Sequence, residues 1–134
     1  MVSNNRRAYP KCFPLQNSAM KFYDYVKSEN MVELYEVKKL LRMLTNLLCA
    51  LSLYDKTKDV ERLKTRLQRF LLIRTYHIDL DTIVISYRNR MNKCVSNILL
   101  SMTPDRIQPF SIVYTNIVND IFCQLVSLQS MKEA

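Results

Sequence analysis

The sequence contains no glycine, no tryptophan and a single histidine. Glycine is the residue that enters left-handed turns, bulges and phosphate-cradling loops without steric cost, so its absence argues against a sheet-rich fold and excludes glycine-dependent nucleotide motifs. His77 has no neighbouring nucleophile and no ligand spacing around it, and the acids Asp79 and Asp81 read as turn and cap residues. No catalytic constellation emerges, and no enzymatic activity, cofactor, metal or small-molecule substrate is expected. The four cysteines, Cys12, Cys49, Cys94 and Cys123, are far apart and lack the paired spacing of a zinc site. They read as reduced thiols of an intracellular protein. No apolar stretch is long enough to cross a bilayer, and the start MVSNNRRAYPKCFPL has no apolar segment behind its arginines, so neither a membrane span nor a secretory signal is expected. In a chain without tryptophan, the eight tyrosines read as core and boundary residues rather than a base-stacking platform.

What is present fits one helical domain. A chain of 134 residues can bury about 70% of its unfolded surface. The net charge of +8 and pI near 9.5 admit an acidic partner or nucleic acid without choosing between them.

The strongest helical pattern covers residues 59–79, DVERLKTRLQRFLLIRTYHID. At 100° per residue, Val60, Leu63, Leu67, Phe70, Leu71 and Ile78 share one side, and Lys58, Arg62, Arg66 and Arg69 line the other. Arg74 falls in the middle of the apolar side, where a guanidinium needs a carboxylate; Glu33, Glu36 or Asp81 would form a register-fixing structural ion pair with it. Leu72 and Ile73 fall among the basic residues instead.

Residues 1–16, with Pro10, Pro14, Arg6, Arg7 and Lys11, read as a basic irregular arm preceding a helical domain over 17–134. A short helix over 18–27 carries Met20, Phe22, Tyr23 and Val26. Asn30 and Glu33 have capping-box spacing for a helix over 31–53, whose stripe is Leu34, Val37, Leu41, Leu44, Leu48 and Leu51, widened by Leu40 and Leu47. Its second half carries no charge until Asp55 and should be covered on most sides. Thr57 or Asp55 would cap the helix at 59–79. Asp79 or Asp81 would cap a further helix to about Met102, with Val84, Tyr87, Met91, Cys94, Val95, Ile98 and Met102 inward; the β-branched start at 82–87 also suits a strand, and continuity favours helix. Pro104 and Pro109 should bracket a loop, with Ser111 capping a last helix that buries Ile117, Val118, Ile121, Phe122, Leu125 and Leu128. The expected fold is an all-α bundle of about four long helices plus a short N-terminal one.

Two sets of exposed residues stand out. Lys58, Arg62 and Arg66 are candidate nucleic-acid contacts, although a solvated helix face is the ordinary reading and this side lacks stacking aromatics. Leu72 and Ile73 beside Arg69 form a candidate subunit interface, unless another helix of the chain covers them.

Read without a gap, ERLKTRLQRFLLIRTYHID resembles a helix of the SLD-five subunit of the GINS replication complex, through Glu61, Arg62, Leu63, Lys64, Leu67, Phe70, Leu71, Arg74, Ile78 and Asp79. SYRNRMNKCVSNILLSMTPDRIQ is similar to the family's later helix, through Tyr87, Met91, Val95, Leu99, Pro104 and Gln108. The resemblance implies a divergent, shortened subunit of a heterotetramer of helical subunits that serves initiation and elongation of DNA replication. Its implied partners are the other GINS subunits, the MCM helicase ring and its Cdc-family partner, in the nucleus, with DNA contacted indirectly. The family's helical domain precedes a small β domain, whereas the residues after Pro104 read as helix here. A small basic nucleic-acid-binding protein and an unrelated helical interaction module are the alternatives.

Overall fold

Residues 16–73 and 78–133 are described by a computed structural model, in which every regular element is a helix. The order is α1 (Gln16–Ser28), α2 (Tyr35–Thr57), α3 (Val60–Leu71), α4 (Leu80–Leu100) and α5 (Pro104–Glu133). Arg74 and His77 lie outside the described residues, as do residues 1–15 of the arm.

Helix α2 is the centre because the second half of its sequence, from Met43 to Tyr54, carries no charged side chain to show to water. No residue from 43 to 54 is exposed, and Leu40, Leu44, Leu47, Leu48 and Ala50 are completely buried. Helices α3 and α4 both pack on α2, α4 also joins α5, and α1 lies along α5. The expected stripe is shifted: Leu34 precedes the helix and is 48% exposed, and Leu41 is half-buried. On α4, Ile83, Val84, Tyr87, Met91, Cys94, Val95 and Ile98 are all buried. This spacing of three and four outweighs the strand propensity of its first turns.

An aromatic cluster joins α1 to α5. The Phe22 ring lies 5.9 Å from that of Phe110 and 6.2 Å from that of Tyr114, in the tilted arrangements that aromatic quadrupoles favour. The buried face of α1 is therefore Ala19, Phe22 and Val26. Met20 and Tyr23, expected inward, are half-buried, and the Tyr23 hydroxyl turns to α2 to bond with Thr45.

The helix ends correct several sequence expectations. Asn30 is not a capping-box residue. It terminates α1 in the left-handed region, φ 58°, with its amide bonded to the Lys27 carbonyl and the Met31 amide to the Val26 carbonyl. This turn buries Met31, and α2 starts only at Tyr35, with no side-chain cap on Leu34. Lys58 ends α2 in the same conformation, φ 55°. Asp59, not Thr57 or Asp55, caps α3 by accepting from the amides of Glu61 (3.0 Å) and Arg62 (3.3 Å). Asp79 caps α4 through the Thr82 amide at 2.9 Å.

Helix α3 is 12 residues long rather than running to residue 79. Leu72 takes φ 59°, its amide bonding to the Arg69 carbonyl and that of Ile73 to the Gln68 carbonyl. Continued helix would have left Ile73 on the basic side. Reversing the chain at Leu72 brings Ile73 back against the core. At the other end of the chain, residues 104–109 are not a loop. Pro104 occupies the first helical position, where its missing N–H is no loss, and Pro109 removes only a bond to the carbonyl of Asp105, an exposed residue.

Leu67 is completely buried, so Leu67→Ala should lower stability by about 2–5 kcal/mol in denaturant unfolding; a loss under about 0.5 kcal/mol would refute the assigned core face. Bonding from Thr82 holds the Asp79 carboxyl below its ordinary value of 3.8, so its contribution is present above that value and lost as pH falls through the lower folded value. Asp79→Ala should therefore melt earlier than the native protein at neutral pH. The two melting temperatures should converge on acidification, and a pH-independent gap would exclude capping as the cause.

Candidate functional site

The basic residues around α3 do not form one continuous stripe. Lys58 lies beyond the end of α2, 3.6 Å from Asp55, while Arg62 and Arg69 are exposed on α3. Arg66 is half-buried: its guanidinium carbon stands 5.6 Å from the centre of the Phe70 ring. An aromatic does adjoin this side of the helix, but Arg66 covers it. Arg62, Arg66 and Arg69 border a shallow groove of about 270 Å³ against Leu53 of α2, together with Glu61 and Thr65.

Leu72 and Ile73 have opposite environments. Leu72 is 77% exposed, whereas Ile73 is half-buried and packs against the core. Within the candidate subunit interface, only Leu72 and Arg69 present an exposed surface.

Leu72 borders a larger cleft of about 580 Å³ between α2, the end of α3 and α4. Its geometry follows from helix lengths. At 1.5 Å per residue, α3 spans roughly 18 Å beside an α2 of roughly 34 Å, so the cleft opens where α3 stops. The cationic residues Lys39 and Arg42 on α2 and Arg90 and Lys93 on α4 all line it, and among the described residues no acidic one does. Met43, Phe70, Leu71 and Cys94 supply apolar lining, and Asn46 and Asn97 supply amides. Arg90 also donates from Nη1 to the Leu71 carbonyl at 3.1 Å, satisfying an acceptor that the end of α3 leaves open. Glu36, whose carboxylate lies 3.9 Å from Lys39 and also meets the Cys94 thiol, stands beside the cleft lining and offsets part of its positive charge.

Tyr87 lines the same cleft and is 1% exposed, and its hydroxyl has no hydrogen-bond partner. Burial pushes this phenol far above its ordinary value, so it stays protonated and keeps a donor to offer. Cys94 is likewise shifted upward by burial and remains a neutral thiol. Among the described residues no group of three or more His, Cys, Asp or Glu side chains could hold a metal ion. The arrangement suits recognition of an anion that also carries apolar surface.

Sequence reasoning did not single out Lys39, Arg42, Arg90, Lys93 or Tyr87 as a site. The available signal was a lack of acids: residues 37–54 and 82–104 contain no Asp or Glu. Pairing those two runs required knowing that α2 and α4 are neighbours.

Tyr87→Phe removes a hydroxyl with no partner in the free protein, so denaturant unfolding should show stability unchanged or higher by up to about 1–3 kcal/mol. A loss of more than about 1 kcal/mol would mean that the hydroxyl is bonded within the fold.

No protein-family model, curated protein or solved structure matches this chain.

Proposed function

We propose that this protein is a non-catalytic helical-bundle subunit of an intracellular assembly, and that the assembly is a nuclear GINS-like complex acting with the replicative helicase. The observation that carries the assembly reading is Leu72. A large apolar side chain, 77% exposed, sits at a left-handed position where a branched residue is disfavoured by about 1 kcal/mol. Fold stability alone would favour a small or polar residue there. Contact with a partner gives the leucine a reason to stand there.

The GINS identity rests on the resemblance of residues 61–79 and 86–108, and it makes other helical GINS subunits, the MCM ring and its Cdc-family partner the expected associates. Direct nucleic-acid binding is the weaker reading, because Phe70, the aromatic nearest the α3 arginines, has Arg66 over its ring. Salt-dependent binding of DNA by the isolated protein would favour that alternative.

The test compares Leu72→Asp and Leu72→Gly in a pull-down from the native cell. Both should keep native helical circular dichroism, and Leu72→Gly should gain about 1 kcal/mol by relieving the left-handed turn. Each should lower capture of stoichiometric partners by at least about tenfold, equivalent to about 1.4 kcal/mol. Undiminished capture by both variants would defeat the interface reading, and captured partners unrelated to replication would defeat the GINS identity.

A further inference from the structure

We propose that the cleft beyond the end of α3 receives an acidic amphipathic helix of about three turns from a partner protein, laid where α3 would continue. This inference rests on the assembly reading above only in assigning the helix to a partner. The length follows from the surrounding elements: α2 extends roughly 16 Å past the span of α3, which corresponds to about 11 helical residues. The apolar requirement follows from the lining, where Met43, Phe70, Leu71 and Tyr87 face the space left by the missing turns.

The sign of the partner's charge follows from the rim. Lys39 and Arg42 lie on one wall and Arg90 and Lys93 on the other, so acids flanking an apolar stripe would meet cations on both sides. A carboxylate reaching the cleft floor would meet the unpartnered Tyr87 hydroxyl as donor. The segments of the chain outside the described residues have the wrong charge for this role. Residues 1–15 carry Arg6, Arg7 and Lys11 without an acid, and residues 74–77 carry Arg74 without one. A nucleic acid would satisfy the rim and leave the apolar floor unmatched.

The test uses the full chain and a fluorescein-labelled synthetic peptide of about 12 residues, with glutamates on one face and two leucines at i and i+4 on the other. Fluorescence anisotropy should report saturable binding. Arg42→Glu with Lys93→Glu, both at exposed positions, should weaken it at least about tenfold. Lys56→Glu with Arg62→Glu, at exposed positions outside the cleft lining, should leave it within about twofold, although the net charge changes equally. Tyr87→Phe should weaken binding at unchanged fold, and replacing both peptide leucines by alanine should abolish most of it. Circular dichroism on every variant confirms that the helices are intact.

Equal losses in the two charge-reversed variants would reduce the effect to net charge and overturn the proposal. So would full retention of binding by the leucine-free peptide, or equal competition by single-stranded DNA of the same charge. Concentration-dependent self-association that blocks the peptide would assign the cleft to a second copy and overturn the proposal equally. Failure of the peptide alongside lost capture by Leu72→Asp would leave the assembly reading standing. Peptide binding without replication partners in the native pull-down would leave the cleft standing and remove the GINS identity.

Discussion

The termination of α3 at Leu71 is the constraint on which the candidate site depends. A 12-residue helix cannot cover a 23-residue neighbour, and the length left over becomes a cleft rather than a packed seam. Two tertiary contacts hold the stop in place. Ile73 returns to the core, and the orphan carbonyl at the helix end is met by Arg90 from α4. Each contributes on the order of a kcal/mol or two, enough to offset the left-handed strain at Leu72. The side chain that closes α3 therefore also aligns one wall of the cleft.

The same solution recurs across a chain that has no glycine. Helix ends that would ordinarily reverse on glycine do so on Asn30, Lys58 and Leu72, and arginines from distant helices supplement two of them. Arg106 of α5 donates to the Glu29 carbonyl at 3.2 Å beyond the end of α1, and its guanidinium also meets the Glu29 carboxylate at 3.2 Å. A cation at a helix C-terminus opposes the negative end of the macrodipole as well as filling an open acceptor. These contacts tie the end of α1 to α5 and the end of α3 to α4. Helix termination thus becomes a tertiary property of this fold instead of a local one.

That dependence explains what could be read in advance. The helical content, the covered second half of α2 and the inward faces of α4 and α5 were legible, because burial repeats at helical spacing within each segment. The end of α3 was not. Residues 72–79 continue a helical pattern, and nothing local to them announces that Ile73 packs better by turning back or that Arg90 waits 19 positions downstream. Pro109 misled for a related reason: a proline in the second turn interrupts only one bond, to an acceptor on an exposed residue. Exposure at Leu72 was anticipated, whereas its separation from Ile73 depended on the turn.

Electrostatics adds a further step. Lys39, Arg42, Arg90 and Lys93 lie around one opening, and Glu36, 3.9 Å from Lys39, offsets one of the four charges, which leaves an excess of like charge and a mild repulsion there. A solvated helix face would scatter both signs, as α3 does where Glu61 meets Lys64 at 3.2 Å. Water screens the repulsion at the rim, and it does so least beside the buried Tyr87 hydroxyl. An anionic apolar occupant would relieve the repulsion, cover Leu72 and bond the phenol together. Leu72, the cationic rim and the Tyr87 hydroxyl converge on one opening, which the proposed partner helix would cover.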